Sequence, residues 1–289
     1  LSGTFTGGGT IENYGTIELT GPTLFPGSTT TVAAMNNLRI NNLNGVTFNN
    51  AITISGQLIL SEGIITTSAT NLLTIANTSH LAISGGSSSS FINGPVTWRL
   101  PTNFAGGFTY TIPVGKGTTY MPMSIINPIT GLANTTITAE GFTGNMGGTV
   151  GTNPGEVLTS LSKTEYWALQ SSGSLINHSV SLTQPNAENS YNRIGRSTTL
   201  MGIYSSIGGT AAGNAITNSN NTGAGTSQFF VFAKGGPINV SGAQALSNGD
   251  FLTLKTAFDA INNQLQTGNS IMITVLGSTT EVSTAALYE

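Results

Sequence analysis

Residues 41–67 read NNLNGVTFNNAITISGQLILSEGIITT, and their apolar side chains fall in pairs two apart: Val46/Phe48, Ile52/Ile54 and Leu58/Leu60. The same pairing continues outward, to Leu38/Ile40 on one side and to Leu73/Ile75 and Leu81/Ile83 on the other. Successive side chains of an extended strand point to opposite faces, so each pair is one face of a short strand. Between the pairs stand Asn, Gly and Ser, which tolerate left-handed backbone or bond their own main chain and so suit tight turns. Short strands punctuated this regularly predict a β-solenoid rather than a plain sandwich: coils stack their backbones and bury a narrow apolar column.

The composition agrees. Only 7% of the 289 residues are charged, so neutral Ser, Thr, Asn and Gly must cover the surface. Hydrophobic residues make up 38%, in short alternating runs, and no run is long enough to span a bilayer. Disordered chains are typically charged and poor in β-branched residues; this one is the reverse and is expected to fold. The net charge of -3, with eight Lys and Arg scattered along the chain, offers no basic stripe for nucleic acid. Without cysteine there is no disulfide and no thiolate metal site, so backbone pairing and apolar burial must supply the stability. The chain opens at Leu1 with no signal peptide, and the alternating segments at both ends suggest an excerpt of a longer polypeptide.

The expected fold class is all-β, in three parts. The first, residues 1–86, is the solenoid. The tract Ser84 to Ser90, SGGSSSS, holds no core side chain and marks a boundary. The second part, 91–235, shows longer faces: Phe108/Tyr110/Ile112/Val114, Met121/Met123/Ile125, Glu165/Trp167/Leu169 and Ile176/His178/Val180/Leu182. With loops such as Gly144 to Gly155 and Gly208 to Gly225, this predicts an antiparallel β-sandwich; a jelly roll would give the same pattern. In the third, 236–289, Leu254, Ala257, Phe258, Ile261 and Leu265 follow helical spacing. The turn-like Ser247 to Asp250 introduces that helix, Thr267-Gly268-Asn269 stops it, and a strand through Ile271, Ile273 and Val275 follows. So small an α+β segment is expected to cap or open a neighbouring module.

Several stretches together resemble a known family. Residues 41–67, FINGPV at 91–96, YTIPVGKGTTYMPMSI at 110–125, LSKTEYWAL at 161–169 and FLTLKTAFDAINNQLQTGNSIMITVLGSTTE at 251–281 are similar to segments of repetitive surface proteins of gliding Bacteroidetes exported by the type IX secretion system. The resemblance implies one section of a tandem, adhesin-like or filamentous extracellular polypeptide, anchored to the cell surface through parts not matched here. It brings no catalytic residues with it.

Candidate chemistry is sparse. Glu12, Glu18 and Glu62 are the acids of the solenoid stretch, with Arg39 and His80, and their spacing aligns no two acids on adjacent coils. Glu140 and Glu165 suggest an acid/base pair, but the plainer expectation is that Glu140 ends a strand and Glu165 pairs with Lys163 or Arg99 at the surface. His178, beside Val180 and Leu182, is expected to be a packing histidine; no GxSxG elbow exists. Asp250 and Asp259 are explained by turn and helix surface. No acidic run suits calcium, and Gly7 to Gly9 and Val114 to Thr119 read as turns and not phosphate loops. No catalytic, cofactor or metal residue is therefore assigned, and the expectation is a protein that is not an enzyme. Trp98, Trp167 and Tyr166 are the candidates for glycan stacking, with core packing the commoner fate of such rings. Asn77, Asn134, Asn177, Asn220 and Asn239 stand in sequon-like contexts, as chance provides in so Asn/Thr-rich a chain. The expected role is a structural and adhesive building block with two open ends, IENYGTIEL and STAALYE, joined head-to-tail to further modules or copies, with surface polysaccharide as a further partner. It would neither bind nucleic acid nor insert in a membrane. The competing expectation is a carbohydrate-binding module or a polysaccharide-active β-helix enzyme.

Overall fold

The computed structural model describes residues 8–21, 23–27, 29–185, 190–218, 227–267 and 270–288. Gly7, the 219–225 part of the expected loop, Asn220, and the Gly268-Asn269 helix stop lie outside these. Strand makes up 53% of the structure and helix 4%, so the chain is all-β, with a solenoid of about five turns and additional antiparallel sheets. It divides into two compact units, one of Leu1–Thr143, Trp167–Asn186 and Asn220–Ser227, the other of Gly144–Tyr166, Ala187–Ser219 and Gln228–Glu289.

The first unit opens with three parallel ladders. The first stacks Gly9–Leu19, Thr30–Asn41, Leu58–Glu62 and Ile83–Gly85. The second stacks Leu24–Phe25, Val46–Phe48, Ile65–Thr66, Ile92–Asn93 and Val114–Lys116. The third stacks Ile52–Ile54, Leu73–Ile75 and Val96–Leu100. Register turns the alternating pairs into columns: Leu38 opposes Leu58 and then Ile83; Val46 opposes Ile65, Ile92 and Val114; Ile54 opposes Ile75 and Trp98. Every one of these side chains is buried, and each contributes on the order of 1.5–3 kcal/mol of hydrophobic stabilisation. Side-chain amides tie one coil to the next: Asn36 Nδ2 donates to the Tyr14 carbonyl at 3.0 Å, Asn50 to Thr30 at 2.9 Å and Asn77 to Gly56 at 3.0 Å. Gly63, at φ +91°, lies so close to the Asn42 carbonyl that any Cβ would collide with it.

The tract Ser84 to Ser90 is a corner of the solenoid and not a boundary. Ser87 and Ser90 bridge each other, Gly63 N–H donates to the Ser89 carbonyl at 2.9 Å, and the fully buried Ser90 returns its hydroxyl to the Gly63 carbonyl at 3.1 Å. Stacking continues past it to Lys116. The expected limits at 86 and 91 therefore fall inside one unit: a tract without apolar side chains needs no core when its backbone is paired to the coil before it.

At the far end, two of the three ladders are closed. Val114–Lys116 folds back on Thr119–Tyr120 as a hairpin and Val96–Leu100 pairs antiparallel with Thr135–Thr143, whereas Ile83–Gly85 is the outermost strand of the first ladder, with Gly86 after it against Pro113. Thr135–Thr143 is followed in its sheet by Glu165–Ser172. A second antiparallel sheet joins Thr109–Ile112, Met123–Thr130 and Leu175–Thr183. The buried faces of these strands meet where Trp98 lies edge-on to Tyr110, ring centroids 5.2 Å apart.

Three expected faces break for identifiable reasons. Leu81 is 64% exposed because the Ser79 hydroxyl and carbonyl bind the N–H groups of Leu81 and Ala82 in a turn, leaving Ala82 and Ile83 to the core. Pro113 separates Ile112 from Val114, which belong to different sheets. Register shifts around Ile129 place Leu175, not Ile176, in the core, as a bulge inverts the two-residue period.

In the second unit, Ser227–Gly235 pairs antiparallel with Arg193–Ser197 and with Leu158–Leu161, around a core of Met146, Leu158, Tyr204, Val231 and Ala233. A three-stranded sheet, Gly249–Phe251, Ile238–Ser241 and Met272–Val275, packs against the helix Leu254–Asn262 through Ile238, Val240, Phe251, Ala257 and Ile261. The helix is capped at Thr253, whose hydroxyl accepts from Thr256 N–H in a capping box; of the Ser247 to Asp250 stretch, Ser247 ends a 3-10 turn and Gly249 and Asp250 are strand. It ends at Asn262, so Leu265 lies beyond it and is 82% exposed.

Candidate functional site

The solenoid is asymmetric. At one end two ladders are closed as described; at the other, Gly9–Leu19 is the outermost strand of the first ladder, paired on one side only among the described residues. Leu19 is buried while Tyr14 is 79% exposed. The pairing slips between Ile11 and Glu12 and between Asn13 and Thr16. Asn13 stabilises the irregularity, accepting from Gly15 N–H at 3.0 Å and donating to the Asn37 carbonyl at 3.3 Å. From Thr16 to Leu19 the register is regular, and Glu18 stands opposite Arg39 and accepts from Asn41 Nδ2 at 2.9 Å. Bulges and acids on an edge strand discourage indiscriminate pairing. The regular half, Thr16 to Leu19, is paired with Asn37 to Ile40. A second half-paired edge is Met272–Val275 in the other unit, with Met272 62% and Val275 61% exposed.

The residues suggested for glycan stacking are mostly inside. Trp98 and Trp167 are 1% and 0% exposed, and their indole N–H groups donate to the Asn77 carbonyl at 3.0 Å and the Met121 carbonyl at 2.8 Å. Neither offers a face to a sugar. Tyr166, half-buried, packs on the core around Tyr204. Glu140 lies within Thr135–Thr143 and pairs with Lys116 at 3.0 Å; Glu165, expected at the surface, is 3% exposed and accepts from the hydroxyls of Ser162 and Thr164. Arg99 donates instead to Asn134 at 2.7 Å. Each of the two carboxylates is thus held by partners of its own. His178 is buried as a packing residue, and His80 stacks on Phe108 at 4.2 Å. Of the sequon-like asparagines, Asn77 and Asn239 hold their amides in internal hydrogen bonds.

The least anticipated cluster surrounds Asp250. It is 1% exposed and receives Arg193 Nε at 2.6 Å, Arg193 Nη2 at 2.7 Å, Ser206 Oγ at 3.0 Å and Asn239 Nδ2 at 3.0 Å. In sequence, SNGD reads as a turn, and no local signal ties it to an arginine 57 residues earlier. All its acceptors are satisfied, and the arrangement is a clamp. Elsewhere, burial pushes the Tyr110 hydroxyl up to about 12, raises those of Tyr120 and Tyr204, and lowers the Arg196 guanidinium against the opposing pull of Glu156.

Among the described residues no three His, Cys, Asp or Glu side chains converge as metal ligands, and no helix is long and apolar enough to cross a membrane. Compared with protein-family models, curated proteins and solved structures, the chain matches none.

Proposed function

We propose that the chain is a structural building block of an extracellular surface polypeptide, adhesive in the whole protein, in which stacked β-coils transmit load from module to module. The observation that carries this reading is the solenoid end at Gly9–Leu19: this outermost strand of the first ladder is paired on one side only among the described residues, with Leu19 buried, while antiparallel strands close two of the ladders at the far end. A solenoid end with unpaired strand edges calls for a cap or a continuing coil. Met272–Val275 supplies a second edge, so a neighbouring module or copy can engage head-to-tail. In this reading the engaged edges are Gly9–Leu19, which contains the expected open segment IENYGTIEL, and Met272–Val275. The family resemblance adds the surface setting and the type IX route, and the hydroxyl- and amide-covered exterior is consistent with it.

The test is hydrogen exchange on two copies fused in tandem. Amides of Thr16 to Leu19 that exchange rapidly in the single chain should become protected in the downstream copy. Equal exchange in both would sink the stacking reading. Sedimentation of the single chain over a range of concentrations then distinguishes covalent continuation, where it stays monomeric, from self-assembly.

A further inference from the structure

The outward-facing polar groups of the three ladders are employed differently. Along the first, the amides of Asn36, Asn37 and Asn41 are engaged by Tyr14, Thr16 and Glu18 of the adjoining coil. On the third, the Thr97 hydroxyl bonds that of Thr138 at 2.7 Å, and Thr97 is buried. On the second, Thr47, Thr66 and Asn93 stand opposite one another on successive coils. Their two hydroxyls and the Asn93 amide nitrogen have no partner among the described residues; only the Asn93 carbonyl oxygen is used, accepting from Gly117 N–H at 3.2 Å. These side chains line an open groove of about 430 Å³, flanked by the apolar Leu43 and Ile64, and none of its lining residues is charged.

We infer that this groove binds a linear, uncharged polysaccharide laid across the coils. The free hydroxyls both donate and accept and the Asn93 amide nitrogen donates, which matches sugar hydroxyls. Coils stacked about 4.8 Å apart repeat these groups at close to the spacing of successive sugars in an extended glycan. Leu43, 79% exposed, and Ile64 offer apolar contact to the C–H face of a ring. The volume lies within the roughly 300–1,000 Å³ of small-molecule sites. With no cation in the lining, an anionic glycan would lose hydration without recompense. The inference does not depend on the stacking of modules, and it places glycan contact on the solenoid and away from the buried tryptophans.

Isothermal titration calorimetry of the purified chain against soluble glucan, xylan and mannan, with polygalacturonate as the anionic probe, tests it. At least one neutral polymer should bind, and the Thr47→Val/Thr66→Val double variant should weaken it about tenfold or more. Thr53→Val, on the third ladder, should leave it unchanged, and Thr66→Ser should retain binding, which separates loss of the hydroxyl from misfolding. No neutral polymer bound, polygalacturonate bound most tightly, or undiminished binding by the double variant would each overturn the inference.

Discussion

Arg193 grips Asp250 through two parallel hydrogen bonds, Nε to Oδ2 at 2.6 Å and Nη2 to Oδ1 at 2.7 Å, in a setting that leaves the carboxylate 1% exposed. The pair joins the strand Arg193–Ser197 to the strand Gly249–Phe251, so it ties the helix-bearing segment to the rest of its unit. Removing one partner strands a buried charge, which costs about 3–5 kcal/mol. Asp250→Ala should therefore lower the denaturation midpoint sharply. The double variant Arg193→Met/Asp250→Leu should be less destabilised than Asp250→Ala, because it buries no unpaired charge. Urea melts followed by circular dichroism would check both, and a double variant worse than the single would contradict the desolvation argument.

Trp167 donates its indole N–H to the Met121 carbonyl at 2.8 Å from a fully buried position. Trp167→Phe leaves that carbonyl without its partner and opens space. A loss of about 1–3 kcal/mol is expected from the unmet acceptor, with a further loss from the void. Glycan binding should not change. If calorimetry showed binding abolished while the fold persisted, the tryptophan would have a role its burial does not explain.

Glu281 reaches back to the helix start, where its carboxylate accepts from Leu254 N–H at 2.8 Å and Lys255 N–H at 3.0 Å. Desolvation opposes its charge, but those two N–H groups and the Thr279 hydroxyl outweigh it and hold the carboxyl below its ordinary range. A carboxyl with a lower pKa folded than unfolded stabilises the fold fully above the unfolded value, and this contribution disappears as pH falls through the folded one. Acidification through the carboxylate range should loosen residues 276–288 from the helix. The protection of Leu254 and Lys255 amides relative to their intrinsic exchange should fall with falling pH in the parent chain and be low at every pH in Glu281→Gln.

Tyr110 behaves oppositely. Burial raises its hydroxyl to about 12 from 10.0, and the hydroxyl donates to the Thr78 carbonyl at 2.9 Å. The neutral form is favoured in the folded chain, so its contribution is complete below 10.0 and is lost as pH climbs through about 12. Ultraviolet titration of tyrosinate should show one late-titrating component missing from Tyr110→Phe.

The columns of the solenoid were legible because a strand buried on one face writes that face into every second residue: Leu38/Ile40, Val46/Phe48, Ile52/Ile54, Leu58/Leu60 and Leu73/Ile75 are all buried. The helix was legible through Ala257 and Ile261 for the same reason at another period. What periodicity could not convey was pairing between distant segments. Ser84 to Ser90 reads as a boundary because it is held by a backbone bond from Gly63 to Ser89 and by the Ser90 hydroxyl, neither of which leaves an apolar pattern. Asp250 reads as a turn residue because its partner lies far off in sequence. The groove of Thr47, Thr66 and Asn93 has no sequence signal of its own, because three ordinary polar residues gain meaning only when register aligns them.

Leu38, Leu58 and Ile83 sit opposite one another although 20 residues separate the first two and 25 the second pair. Coil length is thus free to vary as long as the surplus is taken up where the chain changes direction. The exposed tip at Ser88 is such a place. A peptide tag or a fluorophore-bearing segment spliced in there would leave the layers on either side in step, which makes this bend a natural handle for labelling the protein without disturbing it.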